Sequence, residues 1–201
     1  VQNINSAAVG GGVAEILTRM VPLLKQLGVQ AAWDVIKGDE KFFSITKKMH
    51  DALHGVDVQI SSDDFGYFLH VNRINSEDMN INGDIVFIHD PQPIALVQMK
   101  KEIGRKWLWR CHIDFTEPQP VIIGFLKPFL EMYDSAVFSA PAFSMDVKIP
   151  QVLVSPSIDP LSDKNKELPQ DVIDSVLDRL YIDKNRHLVT QISLFDYLKE
   201  P

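Results

Sequence analysis

The stretch WRCHID, residues 109–114, sets a guanidinium, an imidazole and a carboxylate at alternate positions. Arg110, His112 and Asp114 are residue types that meet polar or anionic ligands. They follow the apolar run WLW, so the segment begins as core and ends as something else. Read as a strand, it puts Arg110 and His112 on one face and Cys111 on the other. Cys111 is the only cysteine. It reads as buried packing, and it leaves no intrachain disulfide and no multi-cysteine metal site. Trp107 and Trp109 also read as core, although either ring offers a platform for a sugar face. The plainer alternative for Arg110 is an internal ion pair with Asp90 or Asp114.

Three other segments carry residues out of place in a plain core. Gly10, Gly11 and Gly12 lie in SAAVGGG. Consecutive glycines between a strand and a helix allow positive φ and close approach of a sugar or phosphate, and a helix N-terminus beyond them offers free N–H groups. A tight strand–helix turn is the alternative. The spacing is not G-x-G-x-x-G, so a dinucleotide site is disfavoured. HDPQP, residues 89–93, brings His89 and Asp90 before two prolines; Asp90 is a candidate cap for a following helix and His89 a candidate core histidine. SPSID, residues 155–159, opens a loop rich in Pro, Ser and charge that reads as a hinge.

Each of these four segments follows or ends a strand-like run: SAAVGGG follows VQNIN, HDPQP follows IVFI, RCHID ends the run begun by WLW, and SPSID follows VLV. Between such runs lie helical periodicities over residues 13–27, 40–53, 63–75 and 120–133, the last interrupted by Pro128, with PIALVQMKKEI as a further helix. Alternation of this kind predicts a doubly wound, Rossmann-like α/β domain with a parallel sheet over residues 1–155. Ligands of open parallel sheets bind beyond the carboxyl ends of the strands, where these segments fall. Residues 156–201 read as the hinge, an amphipathic helix in QDVIDSVLDRLYI, and a strand in HLVTQIS that begins a second domain.

The 201 residues carry a net charge of -7, with 45% hydrophobic and 23% charged residues. An acidic balance argues against nucleic acid as the partner. No run approaches the roughly 18 apolar residues of a membrane span, and a cytoplasmic location is expected. His50 and His54 have a metal-compatible spacing but no third ligand, so no metal site is expected. A G-x-S-x-G nucleophile elbow is absent.

The stretches NINSAAVGGGVAEIL, FIHDPQPIAL, WLWRCHIDF and SPSIDPLSDKN closely resemble, in order, the trehalose synthases among the retaining GT-B-fold glycosyltransferases. That resemblance implies the N-terminal, acceptor-side half of a two-domain enzyme joining nucleotide-activated glucose to a glucose acceptor, with no further cofactor. It implies that Gly10–Gly12 lie against the reacting sugars, that His112 contacts the transferred sugar, and that His89 and Asp90 border the acceptor pocket. SPSIDP resembles the hinge. Lys199 matches a phosphate-binding lysine of the donor side, whereas Leu194 stands where the family has a phosphate-binding arginine. The rest of the donor domain lies outside these 201 residues, so the expectations are inactivity alone and a homodimer formed through the uncovered cleft face. A non-catalytic sugar-binding or interaction domain derived from such an enzyme is the alternative. A single-domain nucleotide-dependent enzyme is a weaker third.

Overall fold

Short strands dominated by Ile, Val, Trp and Phe alternate with helices that carry one apolar stripe, and the parallel sheet they build positions every polar segment named above. The computed structural model describes residues 1–193. Its sheet comprises β1 (Gln2–Asn5), β2 (Ala32–Val35), β3 (Ile85–His89), β4 (Lys106–Arg110), β5 (Ser135–Phe138) and β6 (Gln151–Leu153). All neighbours are parallel, in the order β2-β1-β3-β4-β5-β6. The chain steps from β1 out to β2 and then returns to the other side of β1 for β3. The strand order therefore reverses between β1 and β3, and the crevice at their carboxyl ends is the topological switch point.

The crossovers run through α1 (Gly12–Gln26), α2 (Glu40–Leu53), α3 (Ser62–Asp78), a 3-10 turn (Ile94–Met99) that continues into α4 (Lys100–Ile103), and α5 (Pro120–Leu130). Where PIALVQMKKEI was expected to be one helix, its first part is wound more tightly as a 3-10 segment. α5 contains Pro128 and stops at Leu130, short of the expected residue 133; a proline lacks the N–H that continues a helix. The Asp39 carboxylate caps α2 by accepting from the Phe42 N–H at 2.8 Å. Ser61 and Asp64 form a capping box on α3.

The two sheet faces differ. On one, Ile4, Ile88, Trp109 and Ala136 stand in register across four strands, all with no exposed surface. They form one core with Phe42, Met49, Phe68, Leu126 and Leu130 from α2, α3 and α5. On the other, α1 covers β1 and β2 through Leu17 and Val21, packed with Trp33. Its carboxyl-end row is His89, Arg110 and Val137 in register.

The chain divides into two compact units, Val1–Ser157 and Ile158–Pro201. The second contains α6 (Gln170–Arg179), which buries none of its residues. The strand expected in HLVTQIS is not formed. Residues 187–193 have no strand pairing, and Val189 and Ile192 stand in solvent. A strand needs a neighbour for its ladder, and none of the described residues supplies one. Among the described residues no helix is long and apolar enough to cross a membrane.

Trp109 joins core to site, because its buried indole N–H donates to the Asp90 carbonyl at 2.9 Å. Trp109→Ala is expected to cost about 3–5 kcal/mol, read as a lower urea midpoint at unchanged slope.

Candidate functional site

At the carboxyl end of β3 the chain turns through Asp90, whose φ is 64°. A left-handed backbone at a non-glycine residue is strained, and here three hydrogen bonds hold it. The Asp90 N–H donates to the Arg110 carbonyl at 2.8 Å, extending the β3–β4 ladder by one step. Its carbonyl accepts from Trp109, and its Oδ1 accepts from the His112 backbone N–H at 2.8 Å. Asp90 therefore clamps the end of β4 and does not cap the following 3-10 turn, which has no side-chain cap. Burial pushes its carboxyl up to about 7, although the His112 N–H and the nearby Arg110 charge favour the ionised form.

The clamp sets His112 beside His89. His89 Nδ1 lies 3.1 Å from His112 Nε2, with the rings stacked at 5.5 Å. On its other side His89 Nε2 lies 3.1 Å from Asn3 Oδ1 of β1. A hydrogen-bonded row thus crosses the switch point from β1 through β3 to the segment after β4. Burial, then the neighbouring His112 and Arg110, depresses His89 to about 3. Burial and Arg110 depress His112 to about 4. Both imidazoles are neutral at neutral pH.

Arg110 stands in register with His89 but makes its own hydrogen bonds elsewhere. Its Nη2 donates to the Val154 carbonyl at 2.8 Å and to Ser139 Oγ at 3.3 Å, tying β4 to the residues just past β5 and β6. It pairs with neither Asp90 nor Asp114. Burial lowers its pKa, and the nearby Asp90 opposes that. Asp114 is exposed, and its Oδ1 accepts from the backbone N–H and hydroxyl of Thr116, a local turn that takes it out of the cluster. Cys111 packs into the main core, with its thiol raised well above the usual range by burial. Lys199 lies outside the described residues.

The glycine segment leaves β1 beside His89. The Asn5 side chain holds its start, donating to the Ala7 carbonyl at 2.8 Å while accepting from the Trp33 indole. Gly10 and Gly11 have φ of 76° and 77°, which explains glycine at both. A Cβ on Gly12 would meet no atom within 4 Å and φ is ordinary there, so nothing within the chain demands glycine at that position. α1 then begins with no side-chain cap, leaving its first N–H groups open.

The sequence reading missed Asn3, Asn5 and Ser139. For the first two the signal was present: QNIN puts three amide side chains in a strand whose every residue is buried, and buried amides are there to bond something. Among the described residues no group of three or more His, Cys, Asp or Glu is placed to hold a metal ion.

A family model described as "Trehalose synthase, N-terminal domain" matches residues 3–145. Trehalose synthase of Pyrococcus horikoshii is 42% identical over 199 residues, covering 96% of this chain and 48% of that protein. The chain therefore spans about half the length of that curated relative. Among solved structures, the trehalose-6-phosphate synthase OtsA superposes with a TM-score of 0.62 at 16% identity, over 88% of this chain and 54% of that one. An alpha,alpha-trehalose-phosphate synthase (UDP-forming) from Burkholderia xenovorans, in complex with glucose-6-phosphate, gives 0.52 at 15%, over 71% and 40%. These likenesses show the fold of one half of a GT-B glycosyltransferase.

The electrostatics carry a test. Asp90 rises from 3.8 to about 7 on folding, so the folded chain binds the extra proton between those values and stability falls as pH rises through them. The histidines fall from 6.5 to about 3 and about 4; their contribution is full above pH 6.5 and is lost on acidification. Asp90→Asn keeps the acceptor for His112 N–H and removes the first effect only. Relative to the native chain it is expected to gain on the order of 1–3 kcal/mol between pH 4 and pH 7, measured by urea unfolding. A difference independent of pH would contradict the shift.

Proposed function

The chain belongs to the trehalose synthase N-terminal domain family, and on that premise we propose that it is the acceptor-side half of a retaining glycosyltransferase making trehalose from nucleotide-activated glucose and free glucose. The observation that carries this reading is the His89–His112 pair, bonded at the carboxyl ends of the strands beside β1, the strand that runs into the glycine segment. Sugars are neutral polyols. They are recognised by neutral hydrogen-bonding groups and by backbone that comes close, and those are the groups gathered here. The glucose hydroxyl bonds to the anomeric carbon, the bond to the nucleoside diphosphate breaks, and the hydroxyl proton leaves with that diphosphate. His112 orients the transferred glucose, and His89 and Asp90 border the acceptor. Gly10–Gly12 and the open N–H groups of α1 receive hydroxyl or phosphate oxygens. Arg110 and Asp114 take supporting parts: Arg110 fixes the strand ends, and Asp114 shapes the loop beyond them. Stabilising the leaving diphosphate is work for the donor side, to which Lys199 is assigned.

Catalysis then needs residues beyond this chain. These 201 residues, incubated with UDP-, ADP- or GDP-glucose and glucose, are expected to form no trehalose. Trehalose made by this chain alone would overturn the half-site assignment. Calorimetry should show weak binding of glucose or trehalose, reduced about 3- to 10-fold by His112→Ala, the loss of roughly one neutral hydrogen bond. No binding of either sugar would favour an interaction domain instead. Gly12→Ala separates site from scaffold: stability should hold or rise by up to about 1 kcal/mol, since alanine is the better helix former, while sugar affinity falls. Unchanged affinity would remove Gly12 from the site.

A further inference from the structure

Three hydrogen bonds in series determine which nitrogen of each histidine carries its proton. Asn3 Nδ2 lies 3.2 Å from the Ala32 carbonyl, which can only accept. The amide is therefore oriented with Oδ1 toward His89, and Oδ1 can only accept as well. His89 Nε2, 3.1 Å away, must be the N–H that donates to it. A neutral His89 then has a bare Nδ1, which accepts from His112 Nε2–H at 3.1 Å. His112 is left with a lone pair on Nδ1, an atom with no partner among the described residues. Asn3 has no exposed surface and His89 is 2% exposed, so no water substitutes for either bond. Arg110, in register with His89, adds a positive charge that disfavours a second proton on either ring.

We propose that Asn3 is a positioning residue that fixes His89, and through it His112, as Nε2–H tautomers, so that His112 Nδ1 is a dedicated acceptor for a sugar hydroxyl. The inference deepens the sugar-site reading and rests on it for the identity of the donor. Its consequence is directional. His112 takes a hydrogen bond from the sugar and gives none at that atom, so the hydroxyl it meets must donate. A deoxy or fluoro sugar at that position, having no proton to give, loses the bond entirely.

Long-range proton–nitrogen NMR of the imidazoles in this chain, without ligand at pH 7.5, reads the tautomers directly. The expected result is protonated Nε2 and bare Nδ1 on both His89 and His112. A protonated Nδ1 on His112 would overturn the proposal, and this native spectrum decides even if a variant fails to fold. Asn3→Leu removes the acceptor that His89 Nε2–H has among the described residues. His89 should then favour Nδ1–H, and His112 should follow; unchanged tautomers in a folded Asn3→Leu chain would likewise overturn it. Adding trehalose, which carries the transferred glucosyl unit, should move the His112 Nδ1 resonance and leave His89 Nδ1 in place. Trehalose that binds without moving it would sink the acceptor role and leave the sugar site standing. Failure of glucose and trehalose to bind at all would sink the sugar reading, and the tautomer assignment would survive as a structural fact.

Discussion

Polar side chains buried at the carboxyl end of a parallel sheet have no water to bond, so each must find its partner on another strand. That constraint organises this molecule. Asn3, His89 and Arg110 sit on three different strands and are nearly sealed from solvent. Among the described residues no carboxylate pairs with any of them. Asn3 meets His89, His89 meets His112, and Arg110 meets Ser139 and the Val154 carbonyl. Leaving any one of these groups unpaired would cost about 1–3 kcal/mol. The strand ends are thus held together by these buried groups.

Asp90 makes the arrangement possible. Its left-handed backbone and inward carboxylate turn the chain out of β3 while holding β4 in place. The backbone strain sits at the carboxyl end of β3 and is offset by Trp109, whose ring lies in the core and whose N–H reaches the Asp90 carbonyl. Core packing and site geometry are coupled through that one indole. The strands, not the loops, give the cluster its precision, since His89 ends β3 and His112 lies two residues past β4.

Much of this was legible in the chain itself. The alternation of strand-like and helical runs gave the parallel sheet, because buried parallel strands read as continuous apolar runs. The carboxyl-end rule then brought Gly10–Gly12, His89, Asp90 and His112 to one edge. What could not be read was the pairing. Arg110 looked like a contact for a polar ligand, or else half of an ion pair, yet it bonds a hydroxyl and a carbonyl, because the residues past β5 and β6 are nearest once the register is set. Asp114 looked like part of the cluster, but a local bond to Thr116 is closed without any tertiary contact. The strand expected in HLVTQIS failed because pairing depends on a neighbour that sequence pattern cannot supply. Asn3 was overlooked because three amides in one short strand do not say which of them bonds what until the partner 86 positions away is known.

We propose that the carboxyl edge of this sheet, around the β1–β3 crevice, receives a sugar. Backbone amide chemical shifts, followed as trehalose is titrated into the chain, test it directly. The largest changes are expected at Gly10–Gly12, Asp90 and His112. Changes confined to the groove at the amino ends of the strands, lined by Gln2, Lys25, Gln30 and Asp84, or no changes up to saturating sugar, would contradict it.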